Sequence, residues 1–155
     1  MEHELEEKGR KSMEDAERKL LQECNAGAKM AVKSIDQVCE HASDGKLLDL
    51  LSAYKDKHKE IEKETTELLE GDGQKTKEPG VMASAFAKTS TGVKLMMQED
   101  SSQIAKIMMD GCNMGIQAIS EKINAYPSAS EKSKKIARKL IQIEEDFMEE
   151  MKAFC

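Results

Sequence analysis

The chain is 155 residues long, with 35% charged residues, 3% aromatics, two prolines, no tryptophan and a net charge of −6. One domain with a buried core is expected at this length, and a composition rich in Ala, Glu, Lys, Leu and Met favours long helices over sheet. The acidic balance excludes nonspecific nucleic-acid binding, which needs a basic face; the basic run "EKSKKIARK" (131–139) is followed within two turns by "EEDFMEE".

Apolar residues at helical spacing begin at Leu20 and continue through Cys24, Gly27, Ala28, Ala31, Ile35, Val38 and Ala42. They predict a first amphipathic helix over about 12–43, with a charged extension toward residue 3. "SDG" (43–45) ends it, with Gly45 as a left-handed residue or Asp44 as the cap of the next helix. A second helix, 46–70, carries Leu47, Leu51, Tyr54, His58, Ile61, Thr65 and Leu68 on one stripe and stops at "GDG" (71–73). So short a connection makes the two helices an antiparallel hairpin.

"DGQKTKEPG" (72–80) is linker-like, and Pro79 suits the first turn of a further helix over 80–98. "EDSSQ" (99–103) breaks it, with Asp100 or Ser101 as the next cap. The following helix, 101–125, places Ile104, Met108, Gly111, Gly115, Ile119 and Ile123 on its stripe. "YPSAS" (126–130) breaks the chain again, and Ser128 with Glu131 has the spacing of a capping box. The last helix, 129–154, carries Ile136, Leu140, Ile143 or Glu144, Phe147, Met151 and Phe154 inward. At ~1.5 Å per residue the 80–98 connector spans ~27 Å, enough to return the chain to the opposite end of a bundle.

A phrase recurs in this order of elements. "CNAGAKMAVKSI" (24–35) is echoed by "CNMGIQAISEKI" (112–123), which gives the helix at 101–125 the role of the first helix. Small residues there, Gly111 and Gly115 among them, suit close approach of neighbouring backbones. The expected fold is therefore all-α, a single domain over 1–155: two antiparallel helical hairpins joined by a long crossover containing an extra helix.

Over residues 15–154 the chain resembles the ferritin-like four-helix bundle superfamily, and in particular a bacterial ferritin-like family of uncharacterised function. The likeness rests on "LLQECNAGAKMAV", on "GVMASAFAKTSTGVKLM" as a Gly-initiated connector and on "KIMMDGCNMGIQAI". It implies a bundle interior where the metal-binding members hold two metal ions, with a Glu from each of two helices and a Glu-x-x-His from each of the others. Here only His3, His41 and His58 exist, and no Glu-x-x-His occurs. The resemblance places Asn25 and Asn113 at the single carboxylates, Lys55 and His58 on the second helix, and Glu144 and Phe147 on the last. Two of six ligand positions survive, so the di-iron site is expected to be degenerate. A shift of register bringing Glu23, Asp56 or Asp110 inward creates no second histidine.

His58 lies on an apolar stripe, where an unpaired polar group is costly. Its expected state is a core histidine bonded to Glu144, an asparagine or Tyr54. The alternative is a residual metal or small-ligand site of His58, Glu144, Asn25 and Asn113. Cys24 and Cys112, at matched positions of the echo, add a second metal candidate, since two thiolates with His58 and a carboxylate suit tetrahedral zinc. The competing expectation for both cysteines is ordinary core packing.

The four cysteines form no Cys-x-x-Cys pair, which fits reduced thiols. No apolar run approaches the ~18–20 residues that span a bilayer, and "MEHELEEKGRK" lacks a signal peptide's apolar region. A cytoplasmic protein is the expectation. No Gly-x-Ser-x-Gly, phosphate loop or Met-x-x-Met array is present. The last helix carries Lys132, Lys134, Lys135, Arg138 and Lys139 near its start and Glu144, Glu145, Asp146, Glu149 and Glu150 near its end, both against the helix dipole. That arrangement suits a solvated face or a polarised surface for a protein partner. The functional expectation is a noncatalytic bundle without cofactor, a structural or protein-interaction module that could self-associate. The alternative is a ferritin-like metal-binding or redox protein with a reduced or altered site.

Overall fold

The structure, a computed structural model, describes residues 13–74, 76 and 100–155. The expected helix at 80–98, Pro79 and the charged extension before residue 13 lie outside the described residues. Within them the chain is all-helical: α1 Asp15–Cys39, α2 Gly45–Gly71, α3 Ser101–Ala125 and α4 Glu131–Met151, closed by one 3-10 turn at Lys152–Phe154. No strand occurs among the described residues, and no described helix is long and apolar enough to cross a membrane.

Local chemistry sets the helix ends. Asp44 caps α2 by accepting from the Leu47 N–H at 3.0 Å, so Gly45 is its first helical residue rather than a left-handed turn. Asp100 caps α3 through the Ser102 N–H at 2.9 Å. Both satisfy donors that a helix start leaves open. Past α2, Gly73 takes φ +76°, the region that favours glycine. α1 has no side-chain cap; the Met13 N–H donates to Asp72 Oδ1 at 2.7 Å, tying its start to the end of α2. α1 ends at Cys39, short of residue 43, because the chain turns at Glu40 and His41.

The capping box expected at Ser128 and Glu131 does not form. Ser130 is the cap: its Oγ accepts from the Ser133 N–H at 3.1 Å, and its hydroxyl donates to Glu17 Oε1 at 2.6 Å. The spacing of "YPSAS" left the choice of serine open to the turn at Pro127. Ser130→Ala is expected to cost about 1 kcal/mol, and Ser128→Ala a few tenths, in urea unfolding.

α1 packs against all three other helices, α3 packs on α4, and α4 also meets α2. The interior face of each helix is close to the expected stripe. On α2 the buried residues are Leu47, Leu51, Tyr54, His58, Ile61, Thr65 and Leu69; Leu69 replaces Leu68 because the face drifts over seven turns. On α4, Ile143 and Glu144 are both buried, with Ile136, Leu140, Phe147 and Met151.

α2 and α4 are matched elements. Each buried α2 residue from Leu47 to Thr65 has a buried α4 counterpart 86 residues later, the separation of His58 from Glu144. The caps Asp44 and Ser130 obey the same offset. α1 and α3 match differently. The buried α3 residues Ile104, Ala105, Met108, Cys112 and Ile119 correspond to Leu20, Leu21, Cys24, Ala28 and Ile35, an offset of 84 (119 less 35). The written echo, Cys24 to Cys112, is offset by 88, one helical turn away, so by burial Cys112 is the counterpart of Ala28. A four-residue slip keeps a side chain on nearly the same face, which is why the echo and the burial pattern can disagree.

The glycines do not act as expected. An added Cβ at Gly111 would meet nothing within 4 Å, and at Gly115 it would meet only the Glu144 side chain, Oε2 at 3.5 Å. Neither admits a neighbouring backbone. Gly111→Ala is therefore expected to stabilise by about 0.8–1 kcal/mol, the helix-propensity difference, read as a rise in the urea midpoint.

Candidate functional site

Among the described residues, one buried ionisable pair joins two helices. His58, on the inward stripe of α2, and Glu144, on that of α4, have side chains 1% and 10% exposed. The Nδ1–H of His58 donates to the Tyr54 carbonyl at 2.6 Å, and Nε2 meets Glu144 Oε1. Both ring nitrogens thus face acceptors, an arrangement that suits the doubly protonated ring. Burial lowers the imidazole's affinity for its proton; the Glu144 hydrogen bond and charge, with the Tyr54 carbonyl, outweigh it, and the His58 pKa is raised above 6.5.

Aromatic packing holds the pair. Tyr54 and Phe147 stack with centroids 4.5 Å apart and planes 7° apart, and Phe147 lies tilted against the His58 ring at 6.3 Å. The Tyr54 hydroxyl donates to Glu150, and burial together with that carboxylate pushes the phenol pKa up.

On its other side Glu144 borders a pocket between α1, α3 and α4, with a cavity volume of about 60 Å³. Gly27, Gly111 and Gly115 lie in its walls, three methionines share its apolar lining with isoleucine, leucine and Phe147 side chains, and Ser34, Cys112 and Glu144 are its polar groups. Met114 is 42% exposed, the one large hydrophobic side chain exposed among the described residues. Cys112 is buried beside Glu144; burial first, then the carboxylate, raises its thiol pKa.

The other expected site residues are dispersed. Cys24 is buried in α1, where burial and Glu23 push its thiol up to about 12. Asn25 is buried too, but its amide nitrogen is spent on α2: Nδ2 lies 3.2 Å from the Glu62 carbonyl, 3.0 Å from Thr65 Oγ1 and 2.8 Å from Thr66 Oγ1, while Oδ1 has no partner among the described residues. Asn113, expected inward by analogy with Asn25, is exposed; at the offset of 84 its counterpart on α1 is the half-buried Lys29. Lys55 is half-buried and ion-paired with Asp36 rather than placed at the bundle centre. Asp56 and Asp110 are exposed and Glu23 is half-buried beside Lys122 at 4.0 Å, so none of the three turns inward. Among the described residues no group of three or more His, Cys, Asp and Glu side chains is placed to hold a metal ion.

Sequence reasoning missed the pocket, Ser34 and the Asn25–Thr65–Thr66 network. Ser34 donates to the Met30 carbonyl one turn back, a bond internal to its helix that carries no long-range signature. A polar residue on an apolar stripe, such as Asn25 or Thr65, was the one available sign of a buried network. No known protein family, curated protein or solved structure matches the chain.

Proposed function

We propose that this chain is a noncatalytic bundle of ferritin-like type, akin to the bacterial ferritin-like family named above, serving as a structural or protein-interaction module. The observation that carries this reading is the His58–Glu144 pair. Both nitrogens of the imidazole are engaged, one by a backbone carbonyl and one by a carboxylate, so the ring has no lone pair to offer a metal in this arrangement. The two buried thiols favour their protonated forms, whereas metal ligation needs thiolate.

Residue contacts support the ferritin-like path of the chain. Met13 with Asp72, Asn25 with Thr65 and Lys55 with Asp36 favour α1 and α2 as an antiparallel hairpin. Glu23 near Lys122 and Gly27 against Ile119 favour α1 antiparallel to α3. α2 and α3 would then point the same way, as in a topology with one long crossover.

The surface for a partner is the outer face of α4. Lys132, Lys135, Arg138 and Lys139 are exposed toward its start, and Glu145, Asp146, Glu149 and Glu150 toward its end. A partner held there would meet separated charges of both signs, and binding would weaken with salt.

The test is elemental analysis of protein purified without chelator, with and without added Fe(II), together with oxygen consumption. Substoichiometric metal and no turnover are expected. Stoichiometric iron with oxygen uptake would establish the ferritin-like metal or redox alternative instead. For zinc, loading wild type and a Cys24→Ser/Cys112→Ser variant should leave both metal-free after desalting; retention by wild type alone would restore the thiolate site.

A further inference from the structure

The outer face of α4 is at odds with its own helix. Lys135, Arg138, Lys139, Glu145, Asp146 and Glu149 recur at three- and four-residue steps about Gln142, so they share one face, and all are exposed. Along that face like charges are neighbours: Lys135 stands one turn from Arg138 and Lys139, and Glu149 one turn from Glu145 and Asp146. The cations lie toward the helix start and the anions toward its end, so both groups also oppose the helix dipole. Little within the chain relieves this. Among the described residues none of the six is paired with a charge on another helix. Glu149 meets Lys152 of its own chain end at 2.7 Å, and Asp146 accepts from Gln142 Nε2 at 2.9 Å. Local conflict on an otherwise consistent helix marks a surface completed from outside the chain.

The charges are also arranged about Gln142 with their signs inverted. Lys135 and Glu149 stand seven residues to either side of it, Arg138 and Asp146 four, and Lys139 and Glu145 three. Such a face is complementary to itself when turned end for end.

We propose that α4 pairs with α4 of a second copy of this chain, antiparallel, across a two-fold axis beside Gln142. The proposal rests on the reading of this face as a partner surface and names the partner.

In that arrangement Lys135 meets the partner's Glu149, while Arg138 and Lys139 meet the partner's Glu145 and Asp146. Each contact occurs twice, as an isologous interface requires. The acidic end of one helix lies beside the start of the other, so the dipole conflict is relieved as well. A parallel pair would set like charges together, and the pattern therefore fixes the orientation. Lys132 and Lys152, ten residues to either side of Gln142, are alike and limit the pairing to 135–149. That span is about 21 Å of helix, with lysine and arginine stems as its apolar part. A contact so short and polar makes a weak, salt-sensitive dimer.

Sedimentation equilibrium of the reduced protein at up to about 1 mM, in about 0.1 M and about 1 M salt, tests this. A reversible dimer is expected at the lower salt, weakened about tenfold or more at the higher. The variants Lys135→Glu/Arg138→Glu/Lys139→Glu and Glu145→Lys/Asp146→Lys/Glu149→Lys should each be monomeric. Mixed in equal amounts, they should restore dimers at least about tenfold tighter than either forms alone. Both sets of changes suit the helix dipole, so neither should unfold α4. A wild-type chain that stays monomeric at about 1 mM in the lower salt would overturn the proposal. So would dimers indifferent to the charge reversals, or a mixture that remains monomeric. A monomer that takes up no iron would sink the self-pairing alone, whereas iron with oxygen uptake would sink the reading as a noncatalytic module.

Discussion

Replacing His58 by alanine is expected to destabilise the protein by about 3–5 kcal/mol, because it strands the Glu144 carboxylate in the interior. For a chain of this size that corresponds to a fall in Tm of roughly 6–20 °C. Replacing both partners by leucine should be neutral or stabilising by about 1–4 kcal/mol, since neither charge then has to leave water. Single and double variants compared by urea unfolding separate the worth of the pair from the cost of breaking it. A single variant that unfolds like wild type would mean that the pair is not buried.

The same pair gives the stability a pH dependence of known sign. Folding raises the His58 pKa above its unfolded value of about 6.5, so the folded state binds the proton more tightly. The resulting stabilisation is fully present just below that unfolded value and is lost as pH rises through the raised folded value. Wild type should therefore lose stability relative to the double-leucine variant on going from about pH 6 upward. An unchanged difference across that range would place the imidazole proton elsewhere.

Phe147→Ala carries the second large effect, an expected loss of about 3–5 kcal/mol. The ring is 1% exposed and touches both halves of the centre, stacked on Tyr54 and tilted against His58. Truncation leaves a void beside an ion pair, in a core with few other aromatics to collapse into it. Tyr54→Phe keeps the stack and removes only the hydroxyl bond to Glu150, so its cost should be about 0.5–1.5 kcal/mol. Equal losses for Tyr54→Phe and Phe147→Ala would contradict a centre held by ring packing.

Helix number, order and inward faces were legible along the described chain because each helix repeats its pattern over many turns. Leu47, Leu51, Tyr54, His58, Ile61 and Thr65 recur at three- and four-residue steps, and all six are buried. That His58 needs a partner was legible, since it lies on an apolar stripe; the choice among Glu144, an asparagine and Tyr54 was not, and the Tyr54 carbonyl and Glu144 share it. The cap of α4 was not, because Ser128 and Ser130 offer the same hydroxyl and only the turn around Pro127 separates them. Nor was the fate of Asn113. Its likeness to Asn25 is chemical, and the rotation of α3 against α1 is decided by packing.

Periodicity and composition by themselves determine that this protein is helical, where its described helices lie and which side of each faces in, since those follow from local geometry and the cost of exposing apolar side chains. Only the tertiary structure decides that Glu144 completes His58 while Cys24, Asn113 and Lys55 stay apart from them, and that three glycines lie in the walls of a pocket instead of at a close helix crossing. The reason is that a helix can slip by one turn with little change in its own energy. Contact between helices alone chooses among such registers.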